Sequence, residues 1–200
     1  MPNLQEHMLR VAAVAALICD NFYESLPKDE IITACLLHDM GNIIKFKLES
    51  FPEFLEPEGL SYWQNVQDEY IKKYGKDEYR AHDEIIKEIG VNKRVVELIQ
   101  SISFLGAPKI AAGKDFSKKI TQYCDGRVDP FGVVSLEQRF SDLRKRYAHH
   151  GENTPERNAF ENALKEIEKQ IFAKCSIKPE DINEKTTAPV ISALKNFVIK

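Results

Sequence analysis

The chain lacks the features that mark membrane-spanning, secreted and nucleic-acid-binding proteins. No apolar run approaches the ~20 residues that a membrane-spanning helix requires. The N-terminal segment MPNLQEHMLR has no basic stretch followed by an apolar one, so we expect no secretory signal. Lys and Arg number 28 against 31 Asp and Glu, which gives a formal net charge of −3. Because basic residues are not in excess, we expect neither a nucleic-acid polymer nor a membrane as partner. With neither a spanning segment nor a secretory signal, we expect a cytoplasmic location.

Cysteine is scarce and follows no recognisable pattern. Cys19, Cys35, Cys124 and Cys175 each lie among apolar residues at helical spacing, and none forms a Cys-x-x-Cys motif. A disulfide pair or a thiolate metal site would be compatible with four thiols. Small buried side chains in a reducing compartment fit the surroundings better, so we expect free thiols inside the fold.

The predicted fold class is all-α. Of the 200 residues, 43% are hydrophobic and 30% are charged, as in a globular domain with a sizeable core. Apolar residues recur at helical spacing in nearly every segment, and we find no convincing strand or internal repeat. The run Ile31–Leu37 is apolar on almost all sides, which places its helix in the middle of the fold. The sequence therefore predicts an irregular helical bundle.

Capping residues and glycines set the predicted helix ends. Gly41 is expected to end the second helix, and Ser61 to begin the third. Residues 42–60 between them should form a long connection, of a kind that often makes a lid or a pocket wall. Residues 104–113 are predicted to be a loop, and a last helix is predicted near residues 188–197.

The pair His38-Asp39, directly after the apolar run, is the strongest chemical signal. His7 lies on the apolar face of the first helix, and Asp125 ends a later helix whose other inward residues are apolar. A carboxylate there is costly to bury without a cation, and two imidazoles with two carboxylates suit Mn, Fe, Co, Ni or Zn better than Ca. Each residue taken alone is more often a buried histidine or a capping aspartate, so the interpretation depends on the set.

This ordered set resembles the signature of the HD-domain superfamily of metal-dependent phosphohydrolases. The surrounding segments EHMLRVA, ACLLHDMGN and YCDGRVDPFGVVSLEQRFSDLRKRY also match. The resemblance covers residues 1–150 and implies an HD-type phosphohydrolase domain there, with residues 151–200 as a C-terminal helical extension packed on the same domain. It further implies one divalent metal ion (Mn, Fe, Co, Ni, Zn or Mg) bound by His7, His38, Asp39 and Asp125.

The chain departs from the two-metal members of that superfamily, which carry two further histidines between the HD pair and the last aspartate. His82 is the single histidine in that interval, and Ser101 and Ser103 lie near the expected place of the second. This favours one metal. His82 could contact a substrate phosphate, donate a proton or weakly help a second ion, and a hydrogen-bonded structural histidine is the equal alternative. The chain also lacks the GYP extension of the cyclic-di-nucleotide phosphodiesterases. Met40-Gly41 follows the HD pair in place of an acidic pair, which argues against hydrolysis of the stringent-response alarmones.

Basic residues near the predicted site could bind a phosphate. Lys45 lies shortly after the HD pair, Arg127 follows Asp125, and Arg139 lies on the helix that begins after Ser135. A guanidinium can bind a phosphate through two hydrogen bonds, which suits this role. For Arg146 we favour a solvated face paired with Glu137 and Asp142, and we expect no metal role for His149-His150.

The sequence therefore predicts a metal-dependent phosphohydrolase acting on a small phosphoester or nucleotide, by attack of a metal-activated water on phosphorus. Asp39 or Asp125 would orient or deprotonate the water, and Lys45, Arg127 or His82 would stabilise charge on the phosphate. Monoester, diester and nucleotide pyrophosphate substrates all stay open. The alternatives are a non-catalytic nucleotide-sensing module and, more weakly, a structural helical adaptor. The C-terminal helices could also form a homodimer contact.

Overall fold

The computed structural model describes residues 1–148 and 154–199, and these residues are mainly helical. In place of strands, these residues form two isolated β-bridges, Phe22 with Cys175 and Val128 with Val133. The predicted all-α class is confirmed. The ten α-helices of the described residues are α1 (Pro2–Asp20), α2 (Lys28–Leu37), α3 (Leu60–Tyr74), α4 (Glu78–Ile89), α5 (Lys93–Ser101), α6 (Ala107–Ala112), α7 (Phe116–Asp125), α8 (Leu136–Arg146), α9 (Pro155–Phe172) and α10 (Glu184–Leu194). In this part of the chain no helix has the length and hydrophobicity needed to cross a membrane.

The core is built around α1 and α2. Residues 11–16 of α1 are all buried, and four of the six are alanines, whose small side chains let neighbouring helices approach closely. Residues 31–35 of α2 are buried as well, as expected for a helix that is apolar on all sides. These two helices pack against each other and both contact α7. The ends of α1, α2 and α7 are therefore held in fixed relative positions.

The C-terminal helices join the same core. Phe160, Leu164, Ile167 and Ile171 of α9 belong to the apolar cluster that also contains the buried residues of α1 and α2. Helix α9 contacts α6 and α7, and α10 contacts α1. The described part of the predicted C-terminal extension therefore shares one core with the helices before it.

Several helix ends differ from the predicted ones. Helix α2 ends at Leu37 rather than at Gly41, and the chain turns through residues 38–41. Gly41 is required for another reason, since a Cβ there would lie 2.9 Å from the carbonyl oxygen of Glu78 and from Cβ of His82. Its lack of a side chain lets α4 approach the end of α2.

Other boundaries were also wrong. Helix α3 begins at Leu60, because Gly59, with φ of 79°, is its N-cap in place of Ser61. Residues 107–112 form the short helix α6 where we predicted a loop. The last helix begins at Glu184, earlier than predicted, because the Asn183 side chain accepts hydrogen bonds from its first turn. The long connection over residues 42–60 contains three 3₁₀ turns.

The four cysteines are free thiols, as predicted. Cys35, Cys124 and Cys175 are buried, and Cys19 is partly buried. Burial raises the pKa of Cys175 to about 11 and that of Cys19 to about 12, so both thiols stay protonated at neutral pH.

Arg127 is buried in the interior and joins separate parts of the chain. Its side chain donates hydrogen bonds to the hydroxyl of Tyr123, to the carbonyl of Val134 and, at 2.9 Å, to the carbonyl of Ile182. A fourth, longer bond of 3.3 Å reaches the carbonyl of Pro179. Because these protein groups use its donors, the predicted phosphate-binding and catalytic roles of Arg127 are corrected to a structural one.

Replacing Arg127 with Met should destabilise the fold, because buried carbonyl oxygens would lose their donors. We expect the free energy of unfolding to fall by about 3 kcal/mol, measured by urea denaturation. The matched control is Arg80→Met on exposed α4 surface, which should change it by less than about 0.5 kcal/mol. Similar losses in the two variants would contradict this structural role.

Candidate metal centre

Four side chains from three helices or helix ends meet at one place. His7 comes from α1, His38 and Asp39 follow the last turn of α2, and Asp125 is the last residue of α7. The Oδ1 atom of Asp125 lies 3.3 Å from Nε2 of His7 and 3.5 Å from Nε2 of His38. The carboxylate of Asp39 lies 3.7 Å from the Nε2 atoms of both histidines. The structure thus brings together all four residues that the sequence suggested as metal ligands.

The orientation of the His38 ring is set by α2. Its Nδ1 atom donates a hydrogen bond of 2.8 Å to the carbonyl oxygen of Cys35, so the lone pair of the neutral ring lies on Nε2. That Nε2 atom is buried and makes no hydrogen bond within the described chain. A buried lone pair that faces carboxylates is unfavourable unless a cation lies between them. The residues present therefore fit a divalent cation, with His38 fixed by the backbone contact typical of metal-binding histidines.

The carboxylates of the group also favour positive charge beside them. Burial lowers the pKa of His38, but the charge of Asp39 and the contact with Asp125 outweigh it and raise this pKa to about 10. Burial raises the pKa of Asp125, whereas the contacts with His38 and His7 lower it well below its ordinary value. The carboxylates therefore stabilise positive charge beside them at neutral pH. A proton on His38 supplies that charge, and a divalent cation can replace the proton.

The group borders a cavity of about 480 Å³. This volume suits a small molecule of the size of a nucleotide. Its walls come mainly from α4, α5, α7 and α8, together with the segments that follow α2 and α5. The residues that line it are His38, Asp39, Gly41, Asn42, Lys45, Glu78, Tyr79, His82, Asp83, Ile99, Gln100, Ile102, Ser103, Phe104, Gln122, Asp125, Arg139, Leu143 and Phe160.

Two of the three cations predicted to bind phosphate line this cavity. Arg139 is largely buried, with its side chain 13% exposed, and its Nη1 donates to Asp142 at 3.1 Å. Its Nε atom is buried and has no hydrogen-bond partner among the described residues. Lys45 is more exposed and pairs with Glu78 at 3.1 Å. Arg127 is not among the residues that line the cavity.

His82 lies on α4 and also faces the cavity. Burial lowers its pKa, with a smaller lowering from the positive charge of His38, while Asp39 raises it. The ring is therefore neutral at neutral pH. Its Nε2 atom is buried and makes no hydrogen bond to any described residue. This position is compatible with contact to a bound ligand and does not favour a role as a proton donor.

Gln122 is a cavity residue that the sequence analysis did not identify. It is 2% exposed and lies on α7, three positions before Asp125. Its Oε1 atom accepts a hydrogen bond of 2.9 Å from the backbone N–H of Ser103, which follows α5. The i, i+3 spacing from Asp125 would have been the available signal, because residues so spaced share a helix face.

The remaining predictions on charged residues have mixed outcomes. Arg146 pairs with Asp142, as predicted for a solvated basic face. Glu137 contacts Lys165 rather than Arg146. The pair His149-His150 lies outside the residues that the structure describes.

The chain was compared with family models, curated proteins and solved structures. A model of the HD domain matches residues 4–105, just over half of the chain. The match includes His7, His38 and Asp39 and ends before Asp125. Searches of curated proteins and of solved structures gave no significant match. Most HD-domain proteins are metal-dependent hydrolases. On the extent of the match, the chain belongs to the HD-domain superfamily of metal-dependent phosphohydrolases.

Proposed function

We propose that this chain is a metal-dependent phosphohydrolase that acts on a small phosphoester or nucleotide. The main support is the buried Nε2 atom of His38, which faces the carboxylates of Asp39 and Asp125 without a hydrogen bond, at the edge of a cavity of nucleotide size. The cavity also contains a buried guanidinium nitrogen of Arg139 without a partner. A metal and a phosphate together would satisfy these groups.

The metal would be held by His7, His38, Asp39 and Asp125. When bound, a divalent cation supplies Lewis acidity, which favours ionisation of water and draws electron density from a phosphoryl oxygen. The set of imidazole and carboxylate groups suits Mn, Fe, Co, Ni or Zn, and Mg is also compatible with the carboxylates. Because His82 is the one additional imidazole in the described walls of the cavity, we propose a single ion.

Side chains that line the cavity would contact the water and the phosphate. Asp39 is partly exposed and lines the cavity, so its carboxylate can orient the attacking water and accept its proton. Arg139 would donate hydrogen bonds to the phosphate oxygens and balance the charge that develops there. His82 faces the same cavity with a buried Nε2 atom that makes no hydrogen bond to a described residue, so its neutral ring would contact the bound substrate. Lys45 would reach the phosphate by leaving Glu78, which is a surface contact of small cost.

Metal binding should depend on Asp125. We expect Asp125→Asn to weaken the affinity for Mn²⁺ by about 100-fold or more, because the amide lacks the charge that stabilises the cation. Titration calorimetry with Mn²⁺ measures this, and the increase of melting temperature on Mn²⁺ addition should be lost in parallel. We call His7, His38, Asp39 and Asp125 the metal group. The matched control is Asp83→Asn, a cavity carboxylate outside this group, which should bind Mn²⁺ as the wild type does. Equal affinities in all three proteins would contradict the assigned ligands.

Activity is tested by phosphate and pyrophosphate release from a panel of nucleotides and phosphomonoesters, and by release of the alcohol from phosphodiesters. We expect release with Mn²⁺, Co²⁺, Ni²⁺ or Mg²⁺, and a loss of at least 100-fold in Asp39→Asn at saturating metal. Equal release by the variant would contradict the role of Asp39. Tight nucleotide binding without product, in a protein that binds metal, would support the sensing module instead.

Arg139 and Arg146 form a matched pair of variants, since both contact Asp142 and Arg139 alone lines the cavity. Arg139→Gln should reduce kcat/KM for any substrate found by about 10- to 100-fold, the usual value of a hydrogen bond to a charged group. Arg146→Gln should change it by less than about twofold. Equal reductions in the two variants would show that the effect comes through Asp142 rather than through the phosphate.

A further inference from the structure

A second cavity adjoins the cavity beside the metal group. Its volume is about 460 Å³, and Phe104, Leu143 and Phe160 line both cavities. The other residues around it are Tyr147, Thr154, Arg157 and Glu161. Because three side chains border both spaces, the two cavities lie side by side.

The shared border contains two aromatic rings in a fixed arrangement. Phe104 and Phe160 are stacked, with ring centroids 4.6 Å apart and an interplanar angle of 26°. Phe160 is buried on α9, whereas Phe104 is 44% exposed in the segment between α5 and α6. The hydrogen bond from Ser103 to Gln122 fixes that segment to α7. Phe104 thus presents a large apolar surface that is held in place before any ligand binds.

The charged side chains around the second cavity are already engaged by other protein groups. Arg157 donates to the carbonyl of Tyr147 at 3.3 Å. The two carboxylate oxygens of Glu161 accept hydrogen bonds from Arg144. Four of the seven side chains around this cavity, those of Phe104, Leu143, Tyr147 and Phe160, are aromatic or aliphatic. The second cavity therefore suits an uncharged, mainly apolar group.

We infer that the two cavities form one substrate site for phosphate esters whose alcohol part carries a planar ring. The phosphate lies in the first cavity, and the ring packs against Phe104 and Leu143. The inference rests on the proposed function for the place of the phosphate. Nucleosides and aryl alcohols share this chemistry, so compounds of both kinds are needed to separate them.

The test measures binding to the Mn²⁺-loaded protein by calorimetry, with phosphonates that cannot be hydrolysed at the ester position. The probes are 4-phenylbutylphosphonate, butylphosphonate and a nucleoside 5′-phosphonate. We expect at least one of the ring compounds to bind about tenfold more tightly than butylphosphonate, and Phe104→Ala to remove that advantage. Phe104→Trp should retain it. The matched control is Leu105→Ala, a neighbouring exposed residue that lines neither cavity.

The outcomes separate this inference from the proposed hydrolysis. An advantage for the nucleoside compound alone assigns the site to nucleotides, and one for both ring compounds assigns it to ring-bearing esters in general. Ring-selective binding by a protein that hydrolyses no compound of the activity panel would retain the ring-binding site and overturn the hydrolase. Hydrolysis with equal binding of ring and ringless probes, unchanged by Phe104→Ala, would overturn the inference alone. Failure of all three probes to bind would also overturn it.

Discussion

The hydrogen bond from His38 to the carbonyl of Cys35 is the contact on which the site depends. The last four carbonyls of a helix have no partner within that helix, and Cys35 provides one of these in α2. By accepting from Nδ1, it satisfies a buried oxygen and leaves Nε2 free to bind a cation. The buried, apolar α2 holds this backbone atom in position. Core packing thereby determines which nitrogen of a histidine is available for chemistry.

Electrostatics explains why the other three residues gather around that nitrogen. Asp39 and Asp125 each lie beside the two histidines, and positive charge on or between the rings makes these contacts favourable. In the metal-free chain a protonated His38 serves this purpose, which the direction of its pKa records. A bound cation would satisfy the same carboxylates and add the lone pair of Nε2 to its ligands. The fold thus brings these groups together, and a bound cation would displace the proton of His38.

Residue pattern predicted the helical fold class and the set His7, His38, Asp39 and Asp125, because helical spacing and the apolar context of each residue can be read locally. The short helix α6 was missed, since a single turn or two carries little periodicity. Arg127 was misassigned for a different reason. Its acceptors at Pro179 and Ile182 lie more than 50 residues away, and no local pattern records such a contact. Gln122 was not identified because its contact with Ser103 depends on where the fold places the segment after α5.

The residues around the two cavities lie partly inside and partly outside the family match. The family match ends at residue 105, so it covers the end of α2 and most of the cavity wall but none of α7, α8 or α9. Those later helices supply Asp125, Arg139 and Phe160, which close the metal group, carry the buried guanidinium and border the second cavity. The proposed cation would be held by the HD pair together with His7 and Asp125, and of these four residues Asp125 alone lies outside the match. In the substrate site that we propose, every residue of the second cavity except Phe104 also lies outside the match.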